Sequence, residues 1–103
     1  MPDSYGNLIN NEALHRFELQ VEGFIAWMDY KRAGRRLTLV HTETPEAIRG
    51  RGVAAALVER VLRYAEDHDL RIVVRCSYAQ AYILKHPEWK KLLDEGIHVK
   101  GFN

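Results

Sequence analysis

The chain has 103 residues, 47% hydrophobic and 28% charged, with a formal net charge of +1. That length suits one small domain with one modest core, and near-balanced charge argues against generic electrostatic capture of nucleic acid. No apolar run approaches the roughly 18–20 residues that cross a bilayer, and nothing near Met1 reads as a secretory leader. The lone Cys76 cannot form an internal disulfide, which suits a reducing cytoplasm. Without a second cysteine, the five dispersed histidines offer no metal site with the spacing zinc needs.

Residues 1–11 are polar and rich in asparagine, and are expected to be loose. From Leu14 the pattern alternates, with His15, Phe17, Leu19 and Val21 on the face expected to be buried. Glu22-Gly23 and Ala33-Gly34 read as turns that separate a strand over Phe24–Lys31 from one over Arg35–Glu43. Three short strands at hairpin spacing imply an antiparallel meander. On the third strand His41 is expected near the inward face.

After Pro45 the period changes. Val53, Ala54, Leu57, Val58, Val61, Leu62 and Ala65 recur at helical spacing, with Glu59 and Arg63 forming a favourable i,i+4 pair. Arg71–Cys76 reads as a short buried strand, so the helix before it makes a right-handed βαβ crossover with parallel pairing. Ser77 is the expected N-cap of a short helix holding Ala79, Tyr82 and Ile83. Pro87 then opens a last helix with Trp89, Leu92 and Leu93, closed by Gly96. One domain over 12–95 with a tail over 96–103 results. Its fold class is α/β (α+β), a mixed, mostly antiparallel sheet with one βαβ crossover and short C-terminal helices.

Function is concentrated in Arg49-Gly50-Arg51-Gly52-Val53-Ala54, a loop that opens directly into the long helix. Glycines let backbone N–H groups approach an anion, a helix N-terminus presents unsatisfied donors, and guanidinium groups suit phosphate. A Walker A loop would carry Lys-Ser/Thr after its last glycine, where this chain has Val53-Ala54. A dinucleotide fingerprint would follow the first strand of a parallel sheet and needs a longer chain. The ends of the parallel strands, His41-Thr42-Glu43 and Cys76-Ser77, lie at the same sheet edge as the loop, where open α/β sheets collect ligands.

The loop resembles the acyl-CoA loop of the GNAT superfamily of N-acetyltransferases, Gln/Arg-x-x-Gly-x-Gly/Ala, at every fixed position. More narrowly, the chain is similar to a very small single-domain subgroup that keeps a cysteine at the end of the next strand. The resemblance implies a minimal GNAT fold that binds acetyl-CoA. Arg49, Gly50, Arg51, Gly52, Val53 and Ala54 hold the pyrophosphate, and the main chain of His41, Thr42 and Glu43 faces the pantetheine arm. It further implies acetyl transfer to a primary amine, on a small molecule or a peptide. Charge and apolar-run length point away from nucleic acid and membrane, and a monomer or weak dimer is expected.

Many relatives carry Asn-x-x-Ala-x-x-x-Tyr after that strand, the tyrosine acting as general acid. Here Cys76 takes the Asn place, Ala79 matches, and Ile83 stands where the tyrosine belongs. Tyr82 comes one residue early, about 100° around the helix. The candidate catalytic groups are Cys76 as an acetyl acceptor, His41 or Glu43 as base, and Tyr82 as acid, with Tyr78 beside it. Each has a plain structural alternative: a buried cysteine, a satisfied histidine, a solvated carboxylate, packed tyrosines. The rival function is a coenzyme A binding or sensor module without turnover. A small RNA- or nucleotide-binding domain is a weaker one.

Overall fold

The computed structural model describes residues 5–94. Five strands form one sheet: β1 (Tyr5–Asn11), β2 (Arg16–Val21), β3 (Phe24–Ala33), β4 (Arg36–Glu43) and β5 (Arg71–Val74). They lie side by side in chain order, antiparallel except for the parallel pair β4–β5. A 3₁₀ turn at Glu46–Ile48 and helix α1 (Val53–Asp67) make the crossover between those two. Helix α2 (Ser77–Lys85) and a second 3₁₀ segment (Pro87–Leu92) follow β5. This is the mixed, mostly antiparallel α/β architecture with one βαβ crossover that the sequence predicts.

The alternation of β2, β3 and β4 sets the layering. Phe17, Leu19, Val21, Ala26, Met28, Tyr30, Leu37 and Leu39 are buried on one face, joined there by Leu57, Val58, Val61 and Leu62 of α1 and by Ala79 and Ile83 of α2. Each Val, Leu, Ile, Phe or Met side chain among them, taken from water, contributes about 1.5–3 kcal/mol. The alternate residues Arg16, Glu18, Gln20, Ile25, Trp27 and Asp29 stay half-buried or exposed, so among the described residues nothing packs over the other face of the sheet. The Glu59–Arg63 pair forms on α1 at 3.2 Å.

Residues 5–11 correct the expectation of a loose N-terminus. They form an edge strand registered on β2 through Leu8↔Leu19 and Asn10↔Phe17. The asparagine that makes the segment look polar is what docks it: Tyr30 Oη donates to Asn10 Oδ1 at 2.6 Å, and Asn10 Nδ2 donates to Tyr64 Oη at 3.4 Å. His15 is exposed in the β1–β2 turn, in a left-handed conformation at φ 52°, rather than on the buried face. The N-cap of α2 is Cys76, whose sulfur accepts from Ala79 N–H, with Ser77 as first helical residue. The Pro87 segment is 3₁₀ and stops at Leu92, while the expected Gly96 cap and the tail over 97–103 lie outside the described residues.

Candidate functional site

The site begins with a defect in β4. Tyr30 pairs with Leu39 but Asp29 pairs with His41, so Val40 is an extra residue, a β-bulge. Because strand side chains alternate, one inserted residue inverts the phase of everything after it. Leu39 faces the helices opposite Tyr30; beyond the bulge Thr42 faces them opposite Met28, and His41 and Glu43 turn to the open face. His41 therefore does not lie on the inward face: its side chain is 62% exposed, with Nε2 3.3 Å from Glu43 Oε2. The bulge also ends the parallel ladder. Pairing of β4 with β5 stops at Leu39↔Val74, and the N–H groups of Arg75 and Cys76 both turn back to Leu39 O at 2.8 and 2.9 Å. Among the described residues, β4 from Val40 to Glu43 therefore has no strand partner on that side.

Beyond this slot the chain passes through Thr44, Pro45 and the 3₁₀ turn into the loop. Gly50 and Gly52 take φ of 80° and 75°, the left-handed region that L side chains avoid. Gly52 is the N-cap of α1, and its carbonyl accepts from Ala56 N–H at 3.0 Å. Among the described residues no side chain caps this helix, so its first-turn N–H groups are left for another acceptor. A cleft of about 230 Å³ lies against the loop, lined among others by Thr44, Ile48, Gly50, Gly52 and Ala54. Arg49 Nε donates to Thr44 O at 3.0 Å, which folds its guanidinium back along the loop. Arg51 instead pairs with Glu22 in the β2–β3 turn, and its carbonyl accepts from Tyr5 Oη at 2.8 Å. Much of the Arg51 charge is thus answered within the chain, and Arg51 acts as a clamp on the loop.

Cys76 is 4% exposed at the point where β5 gives way to α2. Its sulfur lies 3.2 Å from Thr42 Oγ1 and 3.5 Å from Ala79 N. A hydroxyl, an amide N–H and the start of α2 thus surround the sulfur. Tyr82 stands elsewhere. Its ring stacks on His86 with centroids 4.3 Å apart, in a groove with Ala55, Tyr78, Ala81 and Lys85. Burial lifts its hydroxyl above the usual tyrosine range, with Glu59 and Glu88 adding to the lift, so it stays protonated at neutral pH. No hydrogen bond joins it to Thr42 or Cys76 among the described residues. Ile83, where the Asn-x-x-Ala-x-x-x-Tyr motif carries a tyrosine, is fully buried in the core.

Thr42 and Cys76 are therefore brought together, His41 and Glu43 form a second pair on the opposite face, and Tyr82 joins neither. Tyr5, Glu22 and the side chain of Thr42 are parts of the site that sequence reasoning misses. Tyr5 and Glu22 reach Arg51 from 46 and 29 residues away, and no local pattern marks such contacts. Two left-handed glycines, an uncapped helix and a strand edge without a partner fit an anionic ligand carrying an extended, amide-bearing arm.

Comparison with known proteins gives a consistent picture. A family model described as GCN5-related N-acetyl-transferase matches residues 16–92. Over 59 residues the chain is 41% identical to Protein NATD1 of Bos taurus and 39% identical to Protein NATD1 of Homo sapiens, across 56% of this chain and 52% of each relative. The match thus spans about half the length of these curated relatives. The solution structure of a GCN5-like protein from Staphylococcus aureus aligns with a TM-score of 0.65 at 20% identity, covering 94% of this chain and 96% of that one. That likeness is one of fold.

Proposed function

The chain belongs to the GCN5-related N-acetyltransferase family, and from that premise we propose that it binds acetyl-CoA and transfers the acetyl group to a primary amine. The observation that carries this reading is the opening of the Gly50–Gly52 loop, at the uncapped end of α1, onto the slot where β4 and β5 part. Acetyl-CoA, when bound, supplies an acetyl group activated as a thioester. The remaining work belongs to the chain.

Backbone N–H groups of the loop and of the first turn of α1 hold the pyrophosphate, with Arg49 alongside. The edge of Val40–Glu43 receives the pantetheine amides as it would an added strand. Among the described residues the helices cover one face of the sheet and leave the other open, so the amine has a separate approach, from the side of His41 and Glu43. His41 takes a proton from the incoming ammonium at Nδ1, while Glu43 holds Nε2 and offsets the charge that forms. Cys76 supports a two-step route: Sγ bonds to the acetyl carbon as that carbon's bond to the coenzyme A sulfur breaks and the Cys76 proton leaves with the coenzyme A thiol. The amine nitrogen then takes the acetyl carbon and returns its second proton to Sγ as the thiol reforms. Thr42 Oγ1 and Ala79 N–H hold the sulfur for that exchange.

Intact-mass measurement after incubation with acetyl-CoA tests the route, with Cys76→Ala in parallel. The expected result is one acetyl adduct on the wild-type chain, absent from the variant, and steady release of coenzyme A thiol when a suitable amine is added. Tight binding with no thiol release across a broad amine panel would instead identify a binding module.

A further inference from the structure

A cleft of about 270 Å³ lies at the end of the sheet remote from the Gly50–Gly52 loop, lined by Asn10, Glu12, His15, Tyr30 and Arg32. Its floor is set by the contacts that dock β1. Tyr30 is buried, its ring lies 4.7 Å from that of Phe17, and its hydroxyl donates to Asn10 Oδ1 at 2.6 Å. That donation leaves the hydroxyl oxygen as an acceptor. Burial lifts the hydroxyl above the usual tyrosine range; the Asn10 bond works against the lift, Glu12 adds to it and Arg32 opposes it. A neutral hydroxyl thus has a carboxylate and a guanidinium both within electrostatic reach. These two charges do not meet. Arg32 Nε donates to Gly34 O at 3.1 Å, which holds the guanidinium, and among the described residues its Nη donors have no acceptor. Among the described residues the Glu12 carboxylate makes no ion pair or hydrogen bond. The β1–β2 turn brings in the remaining wall. His15 takes φ 52°, its carbonyl accepts from Tyr30 N–H at 3.0 Å, and its ring lies 6.3 Å from that of Tyr30.

We propose that this cleft binds a free α-amino acid with a polar side chain, at a site separate from the acetyl-CoA loop. The Arg32 Nη donors hold the α-carboxylate, as a guanidinium does best, and Glu12 with the Tyr30 oxygen holds the α-ammonium. His15 hydrogen-bonds the ligand's side chain at the rim. The lining selects against the alternatives. A simple anion is repelled by Glu12 and a simple cation by Arg32, whereas a zwitterion answers both charges at once. An apolar ligand would take water from the two charges and return nothing. The volume falls near the lower end of the range for small-molecule sites, which suits a ligand of amino-acid size.

Two-dimensional amide NMR titration with three probes tests this: L-glutamine, its α-amide, which lacks the carboxylate, and Nα-acetyl-L-glutamine, which lacks the ammonium. L-glutamine should shift the amides of Asn10, Glu12, His15 and Arg32 with saturation in the millimolar range, and each analogue should bind about fivefold more weakly, as expected for one exposed ion pair lost. Both variants that remove one wall charge alter exposed side chains, so the fold should be kept. Arg32→Gln should bind L-glutamine and its α-amide equally, and Glu12→Gln should bind L-glutamine and the Nα-acetyl compound equally. No shift at these amides with tens of millimolar L-glutamine, equal wild-type affinity for all three probes, or a preference that survives removal of its charge overturns the site.

Discussion

Thr42 Oγ1 lies 3.2 Å from Cys76 Sγ, across the mouth where β4 and β5 part. The contact exists because of Val40. Without the bulge His41 would share the face of Leu39, and Thr42 would point to the open side, away from the sulfur. One inserted residue thus puts a thiol with its hydroxyl partner under the helices and a histidine–glutamate pair on the other face of the sheet.

Replacing Thr42 by valine keeps the shape and removes the hydroxyl. Alkylation of Cys76 by iodoacetamide should slow by about tenfold, because the hydroxyl that contacts and orients the sulfur is lost. Thermal unfolding should change little. An unaltered or faster alkylation rate would mean the hydroxyl does nothing for the sulfur.

Gly52 sits at φ 75°, and a Cβ placed there would meet only Tyr5 Oη, at an ordinary 3.7 Å. The cost of Gly52→Leu is therefore conformational, about 1–2 kcal/mol, and the fold should survive it. The side chain would stand over the donors at the start of α1, so acetyl-CoA affinity should fall well beyond tenfold. Wild-type affinity in a folded Gly52→Leu variant would remove the loop from the site.

Restoring the tyrosine common in the family should not restore its chemistry. Ile83 is fully buried, so Ile83→Tyr forces a larger side chain and a hydroxyl into a filled core, at about 1–3 kcal/mol. Denaturant titration should show that loss, with turnover unimproved. A stable variant with faster turnover would place position 83 against the reacting group.

Glu18 gives the fold a measurable response to acid. Arg16 Nε at 2.8 Å and Asn11 Nδ2 at 3.0 Å hold its carboxyl below the usual glutamate range, outweighing partial burial, which acts the other way. A carboxyl depressed in the folded state adds stability that is present above its unfolded value near pH ~4.3 and lost as pH falls through the folded value. Urea midpoints taken from about pH 6 down to about pH 3 should fall, and fall less steeply in Glu18→Gln. Identical slopes for the two proteins would show that this network contributes nothing.

Much of the fold is legible in the order of residues alone, for physical reasons that can be named. Phe17, Leu19 and Val21 announce a half-buried strand by their spacing, and Leu57, Val58, Val61 and Leu62 announce α1. The loop carries its own signature because glycine is the residue that enters the left-handed region freely. The bulge is not legible, since it belongs to the register between two strands and Val40 is an ordinary strand residue. For the same reason, simple alternation puts His41 on the wrong face. The first strand is hidden by Asn10 and Asn11, which read as loop residues until Tyr30, Tyr64 and Glu18 supply their partners.

The most direct measurement is a two-dimensional amide NMR titration with acetyl-CoA. The expected shifts fall on Gly50, Gly52, Val53, Ala54 and Ala55 and on His41, Thr42 and Glu43, saturating together. Absence of shifts at millimolar ligand, or shifts confined to the distant end of the sheet around Asn10, His15 and Arg32, would contradict an acetyl-CoA site at the mouth of β4 and β5.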